Sequence, residues 1–335
     1  MKNNALKPVV VITGASAGVG RATALEFARR GAHIALIARG VAGLKSAMEE
    51  VEDLGGRAII IPADVSDAEQ VEAAAVKTEE ELGPIDVWIN NAMVSVFSPF
   101  KEMQPEEFRR VTEVTYLGYV YGTMAALQRM LPRNHGRIIQ VTSALAHRSI
   151  PLQSAYCGAK HAIKGFTESV QTELVHDRSK VRISMVALPG LNTPQFEWVK
   201  SRLPNKPKPV PPVYQPELAA RTIYWASRHM PREMLLGFPT WEAVLGEKFS
   251  PKLLNLELAK DGYASQQTSE PDDPERPNNL WEPVPEKAKI HGPFSAISRK
   301  RSVTFYLRKN RGAILGTCAL LAVAGGLLMR KRGNV

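Results

Sequence analysis

Cysteine is nearly absent from the 335 residues: Cys157 and Cys318 are the only two, and they fall in stretches of different character. A disulfide framework is therefore excluded, which suits a reducing compartment. Metal-binding patterns are lacking as well. The seven histidines form no HExxH and no paired Cys/His spacing, so no metal site is expected. The opening MKNNALKPVVVITGAS carries no apolar segment ahead of its first Val/Ile run, and a cleaved secretion signal is not expected. An excess of one charge is missing from most of the chain. The formal net charge is +10, yet eleven Lys/Arg and a single acid lie from Glu286 onward, leaving 32 basic and 32 acidic side chains in residues 1–285. Charge thus excludes nucleic acid as the partner of that larger part.

What the chain has in quantity is short Val- and Ile-rich runs alternating with helix-length amphipathic stretches. The runs are Val9–Thr13, His33–Ala38, Ala58–Pro62, Asp86–Ile89, Arg137–Val141 and Val181–Ala187, each reading as a parallel strand buried on both faces. Helices are predicted over Val19–Arg30, stopped by Gly31, and over Phe108–Met130, Tyr156–His176 and Glu217–Arg228. This alternation predicts an α/β, Rossmann-like doubly wound parallel sheet in one domain, with ligands at the carboxyl ends of its strands. Residues 1–262 form that domain. A proline-dense loop at 203–216 interrupts it, and residues 263–300 are polar, proline-rich and aperiodic, a linker or an arm over the domain on which Trp281 hints at docking.

Residues 301–335 differ again. Gly312–Met329 carries no charge, between Arg308, Lys309, Arg311 and Arg330, Lys331, Arg332. As a helix it would be about 27 Å long, close to the roughly 30 Å of a bilayer's hydrocarbon core. A C-terminal membrane anchor meeting lipid headgroups is expected, spanning or lying in the interface. The richer basic flank on its N-terminal side keeps the rest of the chain cytoplasmic.

Two motifs carry chemistry. TGASAGVG, Thr13–Gly20, joins the first strand to a helix; glycines there let a pyrophosphate approach the backbone, and the helix N-terminus offers it free N–H groups. Ser143 follows the fifth strand, and Tyr156 and Lys160 lie four apart on one helix face. A phenol with a reference pKa of about 10 is a poor base, but a fixed ammonium nearby favours the phenolate, so the pair could exchange a proton with a reacting oxygen.

TGxxxGxG, Tyr-x-x-x-Lys and a Ser thirteen residues upstream of the Tyr together resemble the short-chain dehydrogenase/reductase family of single-domain type. ADV (Asp64, Val65), NNA (Asn90–Ala92) and PGLNT (Pro189–Thr193) follow in family order. The resemblance is strong over residues 8–193 and weaker to about 260. It implies that Gly14, Ser16, Gly18 and Gly20 form the phosphate loop. Asp64, with Val65, would contact the adenine, Asn90 would line the groove, and Pro189, Gly190 and Thr193 would sit by the nicotinamide. Tyr156 would be the acid/base, Lys160 would hold the ribose and lower the Tyr pKa, and Ser143 would polarise the carbonyl. Two departures stand out. Thr115 occupies the place of the family's fourth catalytic residue, an Asn, where its hydroxyl could still serve a water relay, and Met93 replaces the glycine of NNAG.

At the end of the second strand a neutral Ala38 precedes Arg39, whose planar fork suits a 2′-phosphate, so NADP(H) is favoured over NAD(H). The expected activity is oxidoreduction between a carbonyl and a secondary alcohol, on a small, lipophilic substrate at a membrane. Substrate contacts are expected from residues 94–100, 144–152 and 191–250, and a homo-oligomer through the long helices is a family expectation. The alternative is a catalytically weak NAD(P)-binding sensor or scaffold. Nucleotide-sugar epimerases and dehydratases, which share the fold, usually carry TGxxGxxG, a spacing that TGASAGVG lacks.

Overall fold

The computed structural model describes residues 7–312. The anchor segment expected at 312–329 lies outside them except for Gly312.

Seven strands form one parallel sheet: β1 (Val9–Thr13), β2 (His33–Ala38), β3 (Arg57–Pro62), β4 (Ile85–Asn90), β5 (Arg137–Ser143), β6 (Arg182–Leu188) and β7 (Glu233–Leu235). Their order is β7-β6-β5-β4-β1-β2-β3, with every pairing parallel. The strand order reverses between β1 and β4, and such a reversal opens a crevice at the carboxyl ends. Successive β1 side chains enter opposite layers, Val10 and Ile12 one core and Val9 and Val11 the other, as a strand's two-residue period requires. Six strands lie where the Val/Ile runs predict them. The seventh, in PREMLLG, is too short to show a period.

Helices α1 (Gly18–Ala28), α2 (Val41–Asp53) and α3 (Ala68–Leu82) connect the first four strands. The helix predicted over Phe108–Met130 is broken in three: α4 (Pro105–Thr112), a π-turn over Glu113–Leu117, and α5 (Gly118–Met130). α6 (Ser154–His176) runs beside them, and α7 (Pro216–His229) packs on α1, with Phe27 edge-on to Tyr224 at 5.1 Å. Glu107 on α4 binds Lys200 and Arg202 at 2.9 and 2.8 Å, fixing the strand after β6 beside Val96–Phe97.

Two elements extend this frame. Helices α8 (Phe238–Phe249) and α9 (Pro251–Asp261) form a hairpin whose inner residues face the sheet's carboxyl edge, while Phe238, Trp241, Leu245, Phe249, Leu253 and Leu256 are exposed. The polar arm then crosses the domain before α10 (Val303–Lys309). Its docking residue is Leu280, 0% exposed, whereas Trp281, which the sequence suggested, is 48% exposed and stacks against the Arg110 guanidinium. Among the described residues no helix is long and apolar enough to cross a membrane.

The β1–α1 turn leaves no room for side chains. A Cβ on Gly20 would sit 2.1 Å from the Gly14 carbonyl oxygen, and one on Gly14, at φ +68°, would sit 2.8 Å from Ala92 Cα. Gly20→Ala is therefore expected to cost about 3 kcal/mol by urea unfolding, as overpacking against backbone does; an unchanged midpoint would contradict the turn's geometry.

Candidate active site

The end of β5 and the first turns of α6 bring Ser143, Tyr156 and Lys160 to one cavity of about 440 Å³. Ser143 Oγ accepts the Leu145 N–H at 3.1 Å, which fixes the rotamer and leaves its proton free to donate. Lys160 is 2% exposed. Its Nζ donates to Tyr119 Oη at 3.0 Å and to the Val141 carbonyl at 2.9 Å, and it lies 5.5 Å from the Tyr156 ring centre. Burial pushes the amine down to about 7. Burial also raises the Tyr156 phenol above its ordinary value, with the Ser143 hydroxyl pulling the other way. The Lys160 amine bonds to Tyr119 and the Val141 carbonyl rather than to the Tyr156 hydroxyl.

A second cavity, of about 200 Å³, runs from the β1–α1 turn to the ends of β2 and β3. Gly14, Ser16, Gly18, Arg39, Asp64, Val65 and Thr193 line it. Val19, Asn91, Met93, Thr193 and Gln195 border both cavities, which therefore meet, and Met93 lies at the junction. Pro189 and Gly190 face the larger one. Asp64 is raised by burial but more strongly lowered by its bond to Arg110 and those from Ser66, so its carboxyl stays ionised. A dinucleotide fits this groove: the turn residues Gly14, Ser16 and Gly18 line it, Gly14 and Gly20 let the turn pack tightly on itself and on Ala92, and α1 begins at Gly18 with no capping side chain.

The family model for short chain dehydrogenases matches residues 8–203. The chain belongs to that family. An uncharacterized oxidoreductase of Bacillus subtilis is 32% identical over 96% of this chain and 88% of its own length. A 3-dehydrosphinganine reductase of Danio rerio is 33% identical over 64% of this chain and 66% of its own. Estradiol 17-beta-dehydrogenase 11 of Mus musculus is 33% identical over 57% of this chain and 65% of its own. This short-chain dehydrogenase is an oxidoreductase acting on CH–OH groups with a nicotinamide dinucleotide.

Three residues assigned from the resemblance line neither cavity: Gly20, which packs against the Gly14 carbonyl, Asn90 and Thr115. Asn90 is fully buried and lines neither cavity; it accepts from Trp88 Nε1 and donates to Gln140 Oε1, Thr123 Oγ1 and the Tyr119 carbonyl. Its neighbour Asn91 borders the groove, with Nδ2 donating to the Thr13 carbonyl at 2.9 Å. Thr115, at the centre of the π-turn, donates to the Val94 carbonyl at 2.8 Å and accepts the Val94 N–H at 3.0 Å. Fully buried, it ties the loop after β4 to the helix and does not reach the Tyr156 pocket. Tyr119, one turn beyond it, is the residue sequence reasoning missed. Its hydroxyl donates to the Val141 carbonyl at 2.9 Å and supplies Lys160 with an acceptor. An i+4 spacing from Thr115 was the available signal.

Residues from the three segments expected to contact substrate line the larger cavity, among them Phe97, Leu145, Ile150, Leu191, Phe196 and Val210. The helical hairpin adds Leu254 and Leu258, beyond the predicted range. Arg148 bridges the two sides through Glu247, at 2.6 Å, and Asn255.

The Lys160 amine has a folded pKa below its unfolded value, so from about 7 to about 10 the unfolded chain binds more protons and stability rises with pH. The unfolding free energy of the wild type relative to Lys160→Met is expected to rise between pH 6 and pH 9. A pH-independent difference would show that the buried amine is not destabilised as a cation.

Proposed function

We propose that the protein is an NADP(H)-preferring reductase or dehydrogenase that interconverts a carbonyl and a secondary alcohol on a lipophilic substrate at a membrane. The observation that carries this reading is the position of the Ser143–Tyr156–Lys160 cluster at the base of an apolar cavity contiguous with the dinucleotide groove. When bound, the nicotinamide supplies or takes up the hydride. The residues do the rest. Tyr156, kept protonated by burial, gives its phenolic proton to the substrate oxygen in reduction. Ser143 donates a second hydrogen bond to that oxygen and holds the carbonyl in register. Lys160, kept in place by Tyr119 and Val141, favours the phenolate left behind and can return a proton toward it.

Arg39, beside a neutral Ala38, supports the preference for NADP(H). The lipophilic substrate is supported by the aromatic and aliphatic lining of the cavity and by the relatives named for dehydrosphinganine and estradiol. Membrane attachment is supported by two features. The uncharged run 312–329 begins three residues after the end of α10, and the outer face of the hairpin that walls the substrate cavity exposes Trp241, Leu245, Phe249 and Leu253. Thr304 Oγ1 accepts the Gly237 N–H at 3.0 Å, so α10 starts beside the start of that hairpin. The catalytic part would face the cytoplasm, and a homo-oligomer through α5 and α6 belongs to the same reading.

The engagement of Thr115 by Val94 favours a second reading, an NAD(P)-binding scaffold with little turnover. Nicotinamide absorbance with a panel of steroid and long-chain ketones separates the two. Turnover is expected, and Tyr156→Phe is expected to lower kcat by about a thousandfold or more with cofactor affinity within threefold. Tight cofactor binding without turnover on any ketone would favour the scaffold. Removing residues 312–335 is expected to move the protein from the membrane to the soluble fraction with its dinucleotide affinity intact; pelleting of the shortened chain with membranes would contradict the anchor.

A further inference from the structure

The arm between α9 and α10 lies outside the residues that the family model matches, yet it closes one side of the dinucleotide groove. Pro283, Val284, Pro285 and Ala288 line the groove together with the β1–α1 turn. The fit is close: a Cβ on Gly43 would sit 2.8 Å from Ala288 Cβ, and one on Gly40 would sit 3.2 Å from the Pro283 ring. Leu280, wholly buried, pins the arm into the core beside α4.

The arm also engages the polar groups that a dinucleotide needs. Arg39 donates to the Asn279 carbonyl at 2.6 Å, to the Trp281 carbonyl, and more weakly to the Leu280 carbonyl at 3.4 Å. All three acceptors are neutral carbonyls, so they orient the guanidinium without forming an ion pair, while the Asp64 and Glu282 carboxylates favour its charge from nearby. Burial and the neighbouring Arg110 make that charge costly. The acid nearest in role, Asp64, is committed to Arg110, which itself donates to the Leu280 carbonyl at 3.1 Å. At the other end of the arm the Ala288 carbonyl accepts from Arg21 at 2.9 Å, and the Lys289 carbonyl accepts the Gly18 N–H at 3.0 Å. That N–H is the first of α1, where a pyrophosphate would otherwise be received.

We propose that residues 279–289 are a cofactor-recognition element: they wall the adenosine half of the groove and, through backbone carbonyls, position Arg39 to receive a 2′-phosphate. An oriented cation held by dipoles is worth more to an incoming anion than one already paired with a carboxylate. Phosphate specificity therefore depends on arm docking, with Leu280 as a positioning residue. The arm's Lys289 carbonyl gives up the Gly18 N–H as the pyrophosphate arrives, which couples the two. The inference rests on the NADP(H) reading above.

The test uses the full chain and two small probes, adenosine 2′,5′-bisphosphate and adenosine 5′-monophosphate, titrated calorimetrically. The wild type is expected to prefer the bisphosphate. Arg39→Ala should weaken bisphosphate binding by about tenfold or more, the loss of one charge-assisted contact, and leave the monophosphate within twofold. Leu280→Ser, checked for an unchanged fold by circular dichroism, should weaken the bisphosphate selectively, and the double variant should bind it no worse than Arg39→Ala alone. Equal weakening of both probes by Leu280→Ser, or additive losses, would overturn the positioning role. Hydrogen exchange on the unmodified chain is independent of how the variants fold. Amides of 279–289 should change their exchange on saturation with either NAD or NADP, and no change would overturn the wall itself. A wild type that does not distinguish the probes, while those amides still respond, would sink the NADP(H) reading and the phosphate role of Arg39, leaving the arm as a wall of the groove.

Discussion

A primary amine buried to 2% exposure is the constraint around which the catalytic half of this molecule is arranged. Taking an ammonium out of water costs several kcal/mol unless its donors are met. Lys160 meets that demand with one hydroxyl and one carbonyl, from α5 and β5, and with the faces of two tyrosine rings. The requirement couples three elements. α6 must start close to the end of β5, α5 must present Tyr119 at the right height, and β5 must leave the Val141 carbonyl available. The π-turn at Glu113–Leu117 sets that height, since its extra residue rotates α5 relative to α4, and the Thr115 hydroxyl clamps the turn to Val94. The Thr115 hydroxyl is thus a structural tie in this chain.

Much of the frame was legible in the sequence because its physics is local. Strands buried on both faces must be apolar at every position, and Val9–Thr13 or His33–Ala38 show this without any partner in view. The Ser143, Tyr156 and Lys160 set was readable from spacing along one helix and one strand end. What escaped depends on contacts through space. Asn90 and Asn91 are adjacent and chemically identical, but strand alternation sends one into the core and the other to the groove. β7 is three residues long, and it is a strand only because β6 lies beside it. A π-turn has no composition of its own. The sequence leaves residues 263–300 as either a linker or an arm over the domain, since bonding through backbone carbonyls leaves no mark on the side chains.

The chain beyond the family-matched region supplies the two walls that distinguish this site. The α8–α9 hairpin closes the substrate cavity with Leu254 and Leu258 and turns a row of large apolar side chains outward. The arm closes the dinucleotide groove with Pro283, Val284 and Ala288. Both lead to α10, whose Phe305 packs edge-on to Trp225 at 6.5 Å. The walls of both cavities are in this way completed by the chain beyond the family-matched region, laid over a frame in which one strand end supplies Ser143 and helix α6 supplies Tyr156 and Lys160.

The most direct measurement of the central claim, that this cluster reduces a carbonyl at the base of an apolar cavity, is isotopic. The full-length protein is supplied with NADPH deuterated at the transferable C4 position and a lipophilic ketone, and the product is analysed by mass spectrometry. The account predicts an alcohol bearing one deuterium on the carbinol carbon, formed by the wild type and not by Tyr156→Phe. Bound dinucleotide with no labelled alcohol from any ketone, or label transfer undiminished without the phenol, would contradict it.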